Sequence, residues 1–536
     1  MYRRPSGVAY GTARPTVNDL TADAAILSAT ERAQRVFGGG ERKGGGDGGA
    51  KPARGEPGET SPLLAGGAGL DDEEINQQWN EAVAAGRVRT SWGREVKTIG
   101  SYSAPLVVAF LLQYSINVVS IFAVGRIGKM ELGAVSLASM TAVITCYAPL
   151  QGLTTSLDTL CAQAYGSGHR HLVGLQLQRM VLLLLLCYLP IAVVWWNGEA
   201  ILARVVPDPR SAELAGSYLR VLIVGGPFIS VFEAAKRFVQ AQGLFHATTW
   251  VLLIAAPANM FVSWLLVWKL EFGFIGAPIS VVFTQILMPV LLFLYVRFVD
   301  GYQCWGGFSR RALSNWGVMV RLAIPGMIMI EAEYLAFEIL TLASARFGPS
   351  SLAAQSILAT LASISYQLPF ALSIAASTRI ANLIGAGLVD AAIVSTKVTI
   401  SLDVILGLFN ATVMWTLRHV LVGFFTDDEE VAQLATDVMA IVAVMQWWDA
   451  VSTGAHGVLR GIGQQHIGGY ANLAGHYLFA MPLAFGTGFG LGWELKGLWV
   501  GIASGVAVVA IVEYAYAYIA DWNRAAREAR DRNEAD

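Results

Sequence analysis

From about residue 97 onward, apolar runs of roughly twenty residues alternate with short polar breaks. That is the length a helix needs to cross the hydrocarbon core of a bilayer. Twelve runs stand out: 99–122, 132–152, 173–196, 212–232, 248–268 and 275–297, then 316–345, 352–375, 392–417, 431–452, 468–489 and 498–519. The pattern predicts an all-α polytopic membrane protein with twelve transmembrane helices.

The seventh run breaks its own pattern. The stretch from Pro325 to Arg346, PGMIMIEAEYLAFEILTLASAR, is apolar enough to span yet holds Glu331, Glu333 and Glu338. An ionised carboxylate at membrane depth is costly, so it faces a cavity, finds a partner or takes up a proton. On a helix, Glu331 and Glu338 fall nearly on one face, roughly 10 Å apart along the axis. Glu333 and Glu338 are separated by about 140°. Either pair is placed to line one side of a polar cavity. The plainer reading is that one of them pairs with a cation at a helix end.

Composition narrows the class. Of 536 residues, 54% are hydrophobic and only 14% are charged, against about 25% charged in soluble domains. The mean hydropathy is +0.51. A net charge of −2 argues against nucleic acid, which calls for a basic face. Cys146, Cys161, Cys187 and Cys304 have no paired spacing, so neither a disulfide framework nor a metal site is expected. No cofactor is expected either.

The first 96 residues are a different material. The run GGGERKGGGDGGA from Gly38 is mostly glycine and charge, too poor in apolar groups to build a core. The start lacks the apolar stretch of a secretory signal. Within this arm, Glu59 followed by Leu63 and Leu64 matches an acidic dileucine signal of the kind sorting adaptors read on cytosolic tails. It points to a vacuolar or lysosomal membrane, with the plasma membrane as the alternative.

Lys and Arg set the expected orientation. With a cytosolic amino terminus, the cytosolic loops gather Arg170, Arg179, Lys236, Arg237, Arg310 and Arg311, and the tail adds Arg524, Arg527, Arg530 and Arg532. The opposite loops hold fewer, and they carry the acid run Asp427, Asp428, Glu429, Glu430. Both termini are expected to be cytosolic.

The chain also repeats itself. GRIGKMELGAVSLAS from Gly125 aligns without a gap on ARFGPSSLAAQSILA from Ala345, placing Arg126 on Arg346, Gly128 on Gly348 and Leu132 on Leu352. AQAYGSG from Ala162 corresponds to ANLIGAG from Ala381. The offset covers six spans, an even number, so the two copies share one orientation. Secondary transporters are often built this way. The expected division is an arm (1–96), a first six-helix half (97–300), a cytosolic linker (301–316), a second half (317–520) and a cytosolic tail (521–536).

At these motifs the chain resembles the eukaryotic multidrug and toxic compound extrusion (MATE) transporters. LDTLCAQAYGSG from Leu157, EYLAFE from Glu333 to Glu338, AASTRIANLIGAG from Ala375 and GVLRGIG from Gly457 are similar to four of that family's signatures, in order. The resemblance covers about residues 97–520. It implies two six-helix bundles around a central, V-shaped cleft, and exchange of small organic cations, drugs or secondary metabolites for protons or sodium; the chain is expected to act as a monomer. It places Glu333 and Glu338 at the family's two acids in the seventh helix and Asp449 at its acid in the tenth. Thr360 falls where animal members keep a third glutamate, so their substrate range and proton count do not transfer. The first span offers Gln113 and Asn117 but no acid, which directs coupling to the second half.

Exchange then follows from competition. Burial disfavours the charged form of a carboxyl and a nearby cation restores it, so a proton and an organic cation displace one another. Glu333 and Asp449 are the expected competing pair, with Glu338 organising them or sharing the proton. Glu331, Tyr334, Phe337, Thr360, Tyr366, Trp447 and Trp448 are candidate cavity residues, the rings offering faces to a cation. Membrane aromatics more often pack or face lipid. Pro369, deep in the eighth span, is a candidate hinge because proline removes a backbone bond. Glu233, Lys236 and Arg237 read as a cytosolic charge cluster, and Asp158 and Arg379 as structural. His456 and His476 lie near the expected cavity, as packing residues or a proton shuttle.

Three rivals stand against this reading, and one of them, a channel, lacks a filter-like segment. A lipid-linked oligosaccharide flippase of the same architecture needs arginines facing a pyrophosphate, whereas the buried charges here are acids. A membrane-embedded enzyme needs a catalytic or metal constellation, and none is visible. The expectation is a transporter, not an enzyme.

Overall fold

The computed structural model describes residues 90–534, apart from Arg126 and 205–207. The candidate sorting residues Glu59, Leu63 and Leu64 lie outside that range. Among the described residues there are helices and turns and no strand.

The first bundle comprises α1 (Trp92–Gly125), α2 (Met130–Gly166), α3 (Arg170–Trp196), the pair α4 (Pro209–Leu222) and α5 (Gly226–Ala241), α6 (Phe245–Lys269) and α7 (Gly273–Phe298). The second comprises α8 (Trp316–Ser344), α9 (Pro349–Gly385), α10 (Val389–Thr416), α11 (Glu429–Ile462), α12 (465–490) and α13 (Glu494–Ile519). Twelve spans result when α4 and α5, bent by 58° at Gly225, are taken as one. Nine of the described helices are plainly apolar enough to cross a bilayer, and ten with that bent pair. The other two are α8, with its three glutamates and Arg321, and α12, with six glycines and two histidines.

Several helices outrun their apolar runs. The hydropathy pattern stops at 152, 375 and 452, but α2, α9 and α11 continue to Gly166, Gly385 and Ile462. The extra turns are polar and yet buried: Thr154, Thr155, Ser156, Asp158, Thr159 and Gln163 on α2 are all nearly inaccessible. They face the other bundle rather than lipid. Polar groups withdrawn from water need partners: Thr154, Thr155 and Ser156 donate to carbonyls one turn back on α2, and further along the helix the partners come from the opposite half. Thr159 Oγ1 donates to the Arg460 carbonyl at 2.5 Å and Gln163 Nε2 to the Gly461 carbonyl at 3.1 Å. Gln465 Nε2 donates to Thr159 Oγ1 at 2.7 Å.

All of these contacts lie on one side of the molecule, the side of the Arg-rich loops, called here the basic face. Helix α1 begins at Trp92, earlier than the expected boundary at 97, so Glu95 belongs to the fold. It pairs across the bundles with Arg379. Residues 522–534, expected as a tail, form α14 (Trp522–Glu534) against the basic face. Arg532 Nη2 donates to Gln163 Oε1 at 2.9 Å and Asn533 Nδ2 to Ser167 Oγ at 2.9 Å. The linker coils into short turns, Tyr302–Cys304 and Arg310–Leu313, under the first bundle.

Candidate functional site

The seventh-helix acids lie on α8, the first helix of the second bundle. Glu333 lies within Coulombic range of Asp449 and His456 on α11 and of Glu513 on α13. Tyr366 on α9 is within range of both Glu333 and Asp449. The structure therefore brings Glu333 and Asp449 into one internal neighbourhood, with a phenol ring beside them.

Glu338 stands apart: no charged or ionisable neighbour acts on it among the described residues. Glu331 turns elsewhere too. Its Oε2 is buried without a hydrogen-bond partner, and its neighbours are Tyr334 and Tyr477. Two residues between acids on a helix rotate them by about 200°, so Glu331 and Glu333 cannot serve the same neighbourhood.

The candidate aromatics divide into two groups. Tyr334 and Tyr366 border a central cavity of about 200 Å3 between the bundles. Tyr366 stacks on Phe370 at 5.4 Å, and Phe370 lies 5.0 Å from Phe110 of the first bundle, so a row of rings crosses the molecular midline. Phe337, by contrast, packs edge-on against the buried Trp499 at 6.0 Å. Trp447 and Trp448 lie 4.9 Å apart; Trp447 rests on Gly407 and Trp448 on the apolar core of the second bundle. Thr360 Oγ1 is occupied by the Ser356 carbonyl one turn earlier, at 2.8 Å. Pro369 is buried one turn from Tyr366 inside the continuous α9.

The first-bundle wall of the central cavity is charged. Lys236 Nζ pairs with Glu233 Oε1 at 2.6 Å, and Gln113 bonds both. These three residues line the cavity. The expected charge cluster of Glu233, Lys236 and Arg237 divides its ion pairs: Lys236 keeps Glu233 while remaining within Coulombic range of Arg237 and Asp158, and a rotation of about 100° per residue points Arg237 to a different partner. Arg237 instead meets Asp158 at 3.2 Å, which Arg460 approaches at 3.7 Å from the other bundle.

Two groups were missed from the sequence. Glu513 on α13 and Asp403 on α10 are fully buried acids. Asp403 Oδ2 accepts from the Tyr514 hydroxyl at 3.1 Å. Glu513 Oε1 lies 3.2 Å from His456 Nε2. Each stands inside an apolar run, AIVEYAYAY and ISLDVILG, the same signal that singled out Glu333. No cluster of metal-ligating side chains occurs among the described residues.

The MatE family model matches twice, over residues 105–265 and 325–485. The two matches are displaced by the same interval that separates Arg126 from Arg346. The chain belongs to the MatE family. A transporter of Saccharomyces cerevisiae described as uncharacterized is 43% identical over 84% of this chain, which spans 65% of that relative's length. Multidrug and toxin extrusion protein 2 of Mus musculus is 32% identical over 82% of this chain and 77% of the relative. The crystal structure of the eukaryotic MATE transporter AtDTX14 superposes with a TM-score of 0.79 at 28% identity, covering 82% of this chain and 99% of that one. The MATE fold of twelve helices in two bundles is thus the fold of this chain. As a MATE protein it is a multi-pass membrane transporter of organic compounds, not an enzyme.

Proposed function

We propose that this MATE transporter exchanges organic cations or related metabolites for protons, with Glu333 and Asp449 as the competing carboxylates. The observation that carries this reading is their convergence: two acids more than a hundred residues apart in sequence come within Coulombic range of one another and of Tyr366. Two like charges within Coulombic range of one another disfavour joint ionisation, so in this reading the pair holds a proton or a cationic guest. The rings of Tyr334 and Tyr366 give such a guest aromatic faces. Tyr334 and Tyr366 reach the central cavity, which Glu333 and Asp449 themselves do not line, and the Glu233–Lys236 pair on its first-bundle wall is already neutralised and so does not compete for the cation.

The basic face is the cytosolic side in this reading, following the excess of Arg there. With the bundles joined at that face, the described conformation is closed to the cytosol. The dileucine signal at Glu59, Leu63 and Leu64 supports delivery to a vacuolar or lysosomal membrane, where a proton gradient is at hand.

The test is cation uptake into proteoliposomes under an imposed pH gradient. Glu333→Gln and Asp449→Asn should each abolish gradient-driven uptake. Undiminished uptake in both would reject the reading, and uptake that follows a sodium gradient alone would replace the coupling ion. For delivery, Leu63→Ala with Leu64→Ala should relocate a tagged protein; unchanged placement would discard the sorting signal.

A further inference from the structure

A second buried polar group lies beside the acid pair, nearer the basic face. His456 follows Asp449 by seven residues on α11, two turns on and roughly 10 Å along the same helix face. His456 and Glu513 each lie six residues from the basic-face end of their helix, about 9 Å, whereas Asp449 lies about 20 Å from it. The two side chains meet, Nε2 to Oε1 at 3.2 Å. Asn472 of α12 joins them: its Nδ2 is 2.9 Å from His456 Nε2 and 3.3 Å from Glu513 Oε1. His476, a turn further on, bonds the Asn472 carbonyl through Nδ1 at 3.1 Å.

This group is under-bonded. Glu513 Oε2, Asn472 Oδ1 and His476 Nε2 are all buried and all lack a hydrogen-bond partner among the described residues. Apolar replacements would pack such a place at lower cost, since buried unpaired polar atoms cost about 1–3 kcal/mol each. The charged and ionisable groups facing it are Glu333 from α8, Arg460 from α11, His476 from α12 and Tyr514 from α13, with Asp403 of α10 behind Tyr514.

We propose that His456 and Glu513 form a proton relay between the Glu333–Asp449 pair and the cytosolic side; this rests on the proton-antiport reading above. His456 Nε2 takes the proton that Glu333 gives up, leaving a carboxylate on Glu333 and an imidazolium beside Glu513. Glu513 Oε1 then takes it from Nε2, so the ring returns to neutral and Glu513 becomes a neutral acid. Glu513 releases it to water on the basic-face side, where a cavity of about 1100 Å3 begins one turn away at Gln464, Tyr470 and Tyr516. Asn472 suits both states of the ring. Its amide donates to a bare Nε2, and turned end for end it accepts from a protonated one.

The relay is separable from substrate handling. In proteoliposomes, Glu513→Gln should lower pH-gradient-driven transport by about tenfold or more, since water replaces a positioned acid only in part. Substrate–substrate exchange at equal pH, which moves no net proton, should stay within about twofold of wild type on the same ground. Glu513→Asp should recover part of the driven transport, and His456→Asn should repeat the Gln phenotype. Unchanged driven transport in Glu513→Gln would overturn the relay. So would a parallel fall of both modes that Glu513→Asp fails to restore, which marks a packing role. Wild-type transport indifferent to the gradient, with Glu333→Gln behaving like wild type, would instead sink the antiport reading and the relay with it.

Discussion

Arg379 on α9 grips Glu95 on α1 with two donors, Nε to Oε2 at 2.8 Å and Nη2 to Oε1 at 2.5 Å, and both side chains are fully withdrawn from solvent. The pair fastens the start of the first bundle to the second. Breaking a buried pair from one side strands a charge and costs about 3–5 kcal/mol. Arg379→Ala should therefore lower the melting temperature in detergent sharply. Replacing both partners with apolar residues, Glu95→Leu with Arg379→Met, should recover most of the loss. A single variant that melts with wild type would mean the pair contributes nothing.

The internal repeat has a packing consequence. Gly166 on α2 lies against the backbone of Asn382 on α9, and Gly385 on α9 against that of Gln163 on α2. These are equivalent positions of the two copies, so the crossing is nearly two-fold. A methyl group at either glycine would overlap backbone atoms, and small residues are what permit helices to approach this closely. Gly166→Ala and Gly385→Ala should each destabilise by about 1–3 kcal/mol, read as a lower yield of monodisperse protein. Gly133, with open space around it, is the control: its alanine variant should behave as wild type.

Helix α14 bridges the halves through Arg532 and Asn533. Its Ala525 and Ala529 are buried against the second bundle. Arg532→Ala should cost about 1.5–3 kcal/mol, the range for a hydrogen bond to a charged group. Deleting 522–536 should uncover Ser167. In a Ser167→Cys background, maleimide labelling from the basic face should turn from slow to fast on that deletion. Equal labelling rates would show that α14 does not cover the α2 terminus.

Burial pushes the Cys304 thiol up to about 12. The thiolate is the reactive form, so at pH 8 almost none is present. Cys304 should resist maleimide in the folded protein and react once the chain is denatured, as followed by mass spectrometry. Rapid native labelling would place the linker away from the first bundle.

Much of this protein was written in local pattern. Twelve apolar runs, the duplicated motifs at Arg126 and Arg346, and acids inside a spanning run are properties of neighbouring residues, and hydrophobic length alone dictates a helix across a bilayer. The same rule applied to AIVEYAYAY marks Glu513 as well. What the sequence did not hold is direction. The polar ends of α2, α9 and α11 read as loops because hydropathy falls there; they are helices because the other bundle supplies the partners that water otherwise would. Glu331, Glu333 and Glu338 look alike on paper. Only the tertiary placement of α11 and α13 relative to α8 gave Glu333 the company of Asp449, His456 and Glu513 and left Glu338 alone, since the charges that define a buried acid's task arrive from helices far along the chain.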